Sequence, residues 1–304
     1  METEHDTEIQ WKCVELTDKA VIQKYLKEEG SRNCEHTFAN IYLWSREVYR
    51  IKFAVVEDTL CFLNEGEKFS VTFPVGNGDK KKAVECLHQY FKTEKKPFRF
   101  HSVNASQFEK LQEIYGDKAV IVYDRDSADY VYEVEKLVNL SGKKYHGKKN
   151  HINRFQQNYP QWSYEDINSE NVEECIQMAE EWGKQNNCWQ DKGKQAELNV
   201  ALQGLEMLEE LELTGGLIRA EGKVIAFSFG EPVNEDTYVV HVEKAFAQIQ
   251  GAYPLINREF LRANATEFTY VNREEDVGSE GLRKAKLSYH PAFLIEKGGV
   301  TIEE

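Results

Sequence analysis

The 304-residue chain has no apolar run approaching the roughly 20 residues that cross a bilayer as a helix. Its opening stretch, METEHDTEIQ, is acidic and polar and lacks the apolar centre of a secretory signal. Proline is scarce, at six residues, and no Pro/Gly/Ser-rich linker or low-complexity tract divides the chain. A chain of this length without a linker predicts two directly packed domains. Cysteine is sparse too. Cys13, Cys34, Cys61, Cys86, Cys175 and Cys188 form no C-x-x-C pair and no metal-ligand spacing. Cys86 and Cys175 fall on apolar helix stripes, where small buried thiols are usual. The expectation is a cytoplasmic protein with reduced thiols and no metal.

Acidic residues dominate, with a net charge of −14, which argues against general adhesion to nucleic acid or membranes. One window reverses the balance. No acidic residue lies between Glu135 and Glu165, whereas Lys136, Lys143, Lys144, Lys148, Lys149 and Arg154 all do. A purely basic window in an acidic chain points to an anionic partner there.

The order of expected elements runs twice. In the first half a hairpin (Ile51–Val56 and Leu60–Leu63, turning on Glu57-Asp58) leads to a strand, Phe69–Phe73. The glycine loop Pro74–Gly78, a helix from Asp79 and a strand at Phe98–Ser102 follow. In the second half a hairpin (Gly216–Ala220 and Val224–Gly230) leads to Thr237–Glu243. A glycine-containing loop, a helix at Pro254–Ala263 and a strand at Glu267–Val271 follow. Phe38–Trp44 is expected to pack on the first sheet, and Phe293–Ile302 to close the chain as a hairpin. Two copies of one small α/β domain are implied, split at 1–135 and 136–304. Where each strand gives way to glycines and a helix start, backbone N–H groups can hold an anion.

Four segments carry candidate chemistry. In HVEKAFAQIQGAYPLINREF, Gln248, Gly251 and Tyr253 fall at the positions of a Q/R-x-x-G-x-G/A pyrophosphate signature, with Asn257 one turn on. Tyr253 replaces the last small residue, and a turn that binds nothing is the plain alternative. Strand alternation puts His241 and Glu243 on one face near the strand end. Glu243 is a candidate general base for a substrate amine, or else the partner of a nearby lysine or arginine. The polar segment Asn272–Tyr289 offers Asn272, Arg273, Arg283 and Lys286 for an anionic substrate, or an ion-pair network fastening loop to helix. Tyr289 is a candidate general acid or a structural tyrosine. In SGKKYHGKKNHINRF, a helical wheel gives Tyr145, Ile152, Phe155 and Tyr159 as the apolar stripe. Lys143 and Arg154 point away from it, and Lys148 and Lys149 lie on or beside it. Contact with an anion is one reading and snorkelling lysines the other.

These segments, together with HTFANIYLW at His36–Trp44, resemble the soluble relatives of the C-terminal domain of phosphatidylglycerol lysyltransferase, over about Trp11–Val300. The resemblance implies tandem GNAT-type (acyl-CoA N-acyltransferase-like) α/β domains, each a mixed, mainly antiparallel sheet flanked by helices, as in Fem-type aminoacyltransferases. It further implies an acyl or aminoacyl transferase with no permanently bound cofactor. The donor would be an acyl-CoA held by Gln248–Tyr253, or an aminoacyl-tRNA held by the basic helix Lys143–Arg154. The acceptor would be an amine or hydroxyl reached through a gap beside the strand after Glu243. The rival reading is an inactive double-GNAT module that binds a nucleotide or a protein partner.

Overall fold

The computed structural model describes residues 9–66 and 68–303, so the first eight residues of the acidic opening stretch lie outside it. The chain starts with β1 (Lys12–Cys13), α1 (Lys19–Glu29) and the aromatic helix α2 (Phe38–Glu47). A hairpin of β2 (Ile51–Val56) and β3 (Thr59–Asn64) follows. Its turn residues Glu57 and Asp58 take φ of 49° and 55°, the doubly left-handed geometry that matches strand twist. Then come β4 (Ser70–Thr72), α3 (Lys80–Thr93), β5 (Arg99–Val103) and α4 (Ala105–Tyr115). Asp79 caps α3 by accepting from the Lys82 N–H, and Asn104 forms a capping box with Gln107 at α4. The α3 start falls where the sequence pattern puts it, at Asp79.

A long strand, β6 (Ala119–Glu133), follows. It leads into α5 (Val134–Asn139), α6 (His146–Asn158), β7 (Ser163–Asp166), α7 (Val172–Gln185), α8 (Lys192–Glu206) and α9 (Leu208–Leu211). The second hairpin is β8 (Thr214–Ala220) with β9 (Lys223–Pro232), turning on Glu221 and Gly222. Next are β10 (Thr237–Ala245), α10 (Ala252–Asn264), β11 (Tyr270–Asn272), α11 (Glu280–Leu287) and β12 (Phe293–Ile302).

The chain forms two compact units, both discontinuous: Met1–Ser31 with Val48–Ala128 and Ile295–Glu304, and Arg32–Glu47 with Asp129–Leu294. These limits differ from the single boundary expected at 135/136. Helix α2, expected on the first sheet, packs against α8 of the second unit. The terminal segment is one strand rather than a hairpin, because Gly298-Gly299 forms a bulge where β12 pairs antiparallel with β5. A side chain at Gly298 would meet the Val122 carbonyl oxygen at 2.7 Å, so the glycine marks a close backbone approach.

Each unit is a mixed, mainly antiparallel sheet flanked by helices, with one parallel pair: β4 with β5 in the first, β10 with β11 in the second. The first core gathers Leu63, Val71, Phe73, Leu87, Phe91 and Phe100; the second gathers Tyr132, Ile218, Tyr238, Leu255 and Phe260. Fully burying one such side chain contributes about 1.5–3 kcal/mol.

The detail that makes a site lies in the second unit. β10 and β11 pair at only three positions, from Thr237 opposite Tyr270 to Val239 opposite Asn272. β10 then bulges between Val240 and Val242 and runs on to Ala245, whereas β11 ends. Beyond this point the parallel partner is gone, while β9 goes on pairing along the other edge of β10.

Candidate functional site

Glu243 lies on the stretch of β10 that has lost β11 but still pairs with β9, opposite Ser228, with its side chain 11% exposed. One carboxylate oxygen accepts from Arg273 Nη2 at 2.9 Å, and the other accepts from Asn257 Nδ2 at 2.8 Å. Asn257 reaches it from α10, one turn past the helix start, and Arg273 follows directly after β11. The guanidinium carbon of Arg273 stands 4.6 Å from the ring centre of Tyr289 and 5.6 Å from that of Tyr132. Lys148 extends from the first turn of α6 to place its Nζ 3.9 Å from the Tyr289 ring centre. Five residues singled out by sequence therefore converge: Glu243, Asn257, Arg273, Tyr289 and Lys148.

Charge is unbalanced in this cluster. Two cations and one carboxylate share it. Arg273 Nη1 is buried and has no hydrogen-bond partner among the described residues. Burial, and then the charge of Arg273, hold the Lys148 ammonium below the ordinary lysine value, although Glu243 opposes this. Burial drives the Tyr289 hydroxyl well above the usual tyrosine value, so it is a neutral phenol at physiological pH. Tyr289 also has a structural place: the ring is buried, and the residue's carbonyl accepts from the Tyr145 hydroxyl at 3.2 Å.

The other candidates lie apart from this cluster. His241, on the β10 bulge, sits between Glu274 (Nδ1 to Oε1, 2.8 Å) and Glu231 (Nε2 to Oε1, 3.1 Å). Burial alone would lower its pKa, but the hydrogen bonds its ring N–H groups donate to the two carboxylates carry it up to about 9. It is a buried imidazolium locked by two acids. Asn272 is fully buried, donating to the Arg32 carbonyl and to Asp129, each at 2.8 Å. Arg283 forks onto Asp276 at 2.8 and 2.7 Å, and Tyr130 donates to the same carboxylate at 2.6 Å. Lys286 donates to the carbonyls of Arg273 and Glu275, which fastens the loop to α11. Arg283 and Lys286 follow the loop-locking alternative, and Lys286 helps to hold Arg273 in place.

The glycine turn after β10 differs from an open phosphate cradle. Gly251 has φ 93°, and a Cβ there would overlap the His151 carbonyl oxygen of α6. Tyr253 accepts at its hydroxyl from Trp182 Nε1 at 3.2 Å, and the Ala245 backbone N–H also points to that oxygen. Gln248 donates to Gln185 at 3.2 Å. Lys149 and Arg154 project outward from α6, while Ile152 and Phe155 are buried beneath it. Cys34, Asp129 and Glu275 bring ligand-type atoms within 4.8 Å of one another, but Asp129 already accepts from the Cys34 and Asn272 N–H groups.

Comparison with known proteins places this arrangement in a family. Residues 27–297 match the model for phosphatidylglycerol lysyltransferase, C-terminal. The chain belongs to that family. A crystal structure of a conserved protein of unknown function from Bacteroides thetaiotaomicron is 39% identical, with a TM-score of 0.93, covering 97% of this chain and 100% of that one. L-PGS from Bacillus licheniformis shares the fold at 14% identity and a TM-score of 0.62, over 94% of this chain and 92% of that one. An uncharacterized protein of Mycoplasmoides gallisepticum is 26% identical over 209 residues, 63% of this chain; the match spans 66% of that relative's length. Membership gives a transferase-type domain. No helix among the described residues is long and apolar enough to cross a membrane.

For this lysyltransferase-family chain, Tyr132 is the member of the cluster that sequence reasoning passed over. Its hydroxyl donates to the Lys286 carbonyl at 2.8 Å while its ring carries Arg273. In the sequence it is one of several strand tyrosines, and its only signal is its place beside Tyr130 in a strongly apolar strand end.

Proposed function

We propose that the chain transfers an aminoacyl or acyl group to an amine or hydroxyl acceptor at the divergence of β10 and β11, with aminoacyl-tRNA as the favoured donor. The single observation that carries this reading is the convergence of Glu243, Arg273, Tyr289 and Lys148 where the strands part. Direct attack in a ternary complex needs no enzyme nucleophile and draws on proximity. The acceptor's lone pair forms the new bond to the ester carbonyl carbon, and the bond from that carbon to the ribose oxygen breaks. The acceptor's proton passes to Glu243 through water, and the neutral Tyr289 phenol protonates the departing oxygen. Proton return from Glu243 to Tyr289 through solvent closes the cycle.

Two features favour the ester donor over an acyl-CoA. Helix α6 covers the Gly251 turn where a pyrophosphate would lie, and the Tyr253 hydroxyl stands before the Ala245 N–H that a thioester carbonyl would use. The outward Lys149 and Arg154 meanwhile suit a phosphate backbone. The test measures tRNA binding over a salt series beside a melting assay with acetyl-CoA and CoA. Binding that weakens with salt, and that loses slope by roughly one for each of Lys149→Gln and Arg154→Gln, fits this reading. A CoA-induced rise in melting temperature without tRNA binding would move the donor to acyl-CoA. Binding of neither would favour the inactive module.

A further inference from the structure

A group-transfer site must meet the negative charge that develops on the carbonyl oxygen, and the usual device in a diverging strand pair is a backbone N–H. Here the Tyr253 hydroxyl, which Trp182 holds at 3.2 Å, stands before the Ala245 N–H. The cluster offers donors of another kind. Arg273 Nη1 is buried without a partner, and Lys148 has no hydrogen bond or ion pair with any described residue, only the face of Tyr289 at 3.9 Å. Both cations stand over the same ring. The carboxylate beside them, Glu243, has each oxygen already bonded, one to Arg273 Nη2 and one to Asn257. One buried guanidinium nitrogen and one half-buried ammonium are thus left without a hydrogen-bond acceptor among the described residues, and Glu243 is shared between the two cations.

We propose that Arg273 and Lys148, carried on Tyr289, form a side-chain oxyanion site that binds the charge developing on the carbonyl oxygen of the donor. This rests on the transfer reading above and adds the groups that stabilise its intermediate. The arrangement is preorganised. Glu243 and the Tyr132 ring fix the guanidinium, Lys286 holds the Arg273 carbonyl, and the Tyr145 hydroxyl holds the backbone of Tyr289. Donors held ready in a water-poor site are worth more than the same donors in water, and loss of one such donor lowers turnover by about 10²–10³.

The first test needs no knowledge of the substrate. Methylphosphonate is a tetrahedral oxyanion, and millimolar amounts should raise the melting temperature of the full chain. Lys148→Gln, compared with its own melting temperature in buffer alone because it also loses the contact with the Tyr289 face, should lose the methylphosphonate shift. Arg273→Lys keeps a charge beside Glu243 but not the guanidinium fork, and should retain only part of the shift. An equal shift in Lys148→Gln and the unmodified chain, or no shift in either, overturns the proposal. The second arm separates this proposal from the transfer reading. Phosphonate binding lost in Lys148→Gln, with no transfer from any donor, leaves the oxyanion site standing and removes the proposed function. Transfer at an undiminished rate in Lys148→Gln removes the oxyanion site and leaves the function.

Discussion

The two strand–glycine loop–helix segments share a backbone plan and finish it in opposite ways. In the first unit the loop Pro74–Gly78 already has its anion. The Gly76 N–H donates to Glu29 at 3.0 Å, the Asn77 N–H reaches Glu28 at 3.4 Å, and Lys80 sits 2.6 Å from the same Glu29 oxygen. Asp79 adds a further carboxylate at the helix cap. In the second unit the side-chain hydrogen bonds of the corresponding turn, among the described residues, run from Gln248 to Gln185 and between Gln250 and His151, with no acid involved. Its carboxylate, Glu243, stands instead at the strand divergence, opposite cations that outnumber it. A glycine loop before a helix is a fastening in one unit and the border of a site in the other. What separates them is which charges remain uncompensated, not the glycines.

The largest effect that would break this comparison is expected at the glycines themselves. Gly251→Ala places a methyl group on the His151 carbonyl at a residue with φ 93°, and neither α6 nor the turn can yield without losing core contacts of Phe155. Strain and overpacking together should cost about 3–4 kcal/mol. Gly76→Ala is equally strained in φ, but the nearest atom is a ring carbon of Tyr25 at 2.8 Å, a side chain that can rotate. A cost of about 1–3 kcal/mol is expected there. Urea unfolding followed by fluorescence distinguishes the units, because Trp44, Trp162, Trp182 and Trp189 lie in the second and Trp11 in the first. A larger loss from Gly76→Ala would show that the second turn is not held by α6 as described.

Much of this framework was legible from residue patterns. The Asn104 and Asp79 caps, the Glu57-Asp58 turn and the Glu221-Gly222 turn each carry a local chemical signal, and each holds. What local signals do not encode is which core an amphipathic segment joins. The aromatic face of α2 suits either sheet, and its pairing with α8 in the second unit depends on chain path alone. The pair Gly298-Gly299 looks like a hairpin turn, yet a bulge that admits a neighbouring backbone needs glycine just as much. The site was half legible for the same reason. Glu243, Arg273 and Tyr289 stand out as polar or aromatic groups at element ends, but the bond between residues thirty apart exists only because β11 stops while β10 continues.

A smaller effect, confined to the second unit, comes from pH. His241 is buried with Glu231 and Glu274 against its two nitrogens, Thr37 Oγ1 at 3.5 Å and Asn40 bonded to the same Glu274. Its folded pKa of about 9 exceeds the unfolded value near 6.5. The group therefore contributes its full stability below about pH 6.5 and loses it as pH rises through 9, a change on the order of 2–3 kcal/mol. Unfolding midpoints reported by the second-unit tryptophans should fall across that window. His241→Gln should be less stable at pH 6 and should lack this slope; an unchanged slope in the variant would assign the pH response to another group.

The smallest effect sharpens the comparison most, because it asks whether Glu29 stands in for a bound anion. Glu29→Ala removes the acceptor of the Gly76 N–H and the partner of Lys80, leaving a donor and an ammonium at a helix start. The direct cost should be modest, about 1 kcal/mol, because the pair is partly solvated and water can reach the freed groups. The informative measurement is the response to inorganic phosphate. The vacated loop should now bind it, so phosphate should restore part of the lost melting temperature in Glu29→Ala and leave the unmodified first unit unaffected. If phosphate does nothing for the variant, the first loop has lost more than a carboxylate. The two turns would then differ in backbone shape as well as in the charge that finishes them.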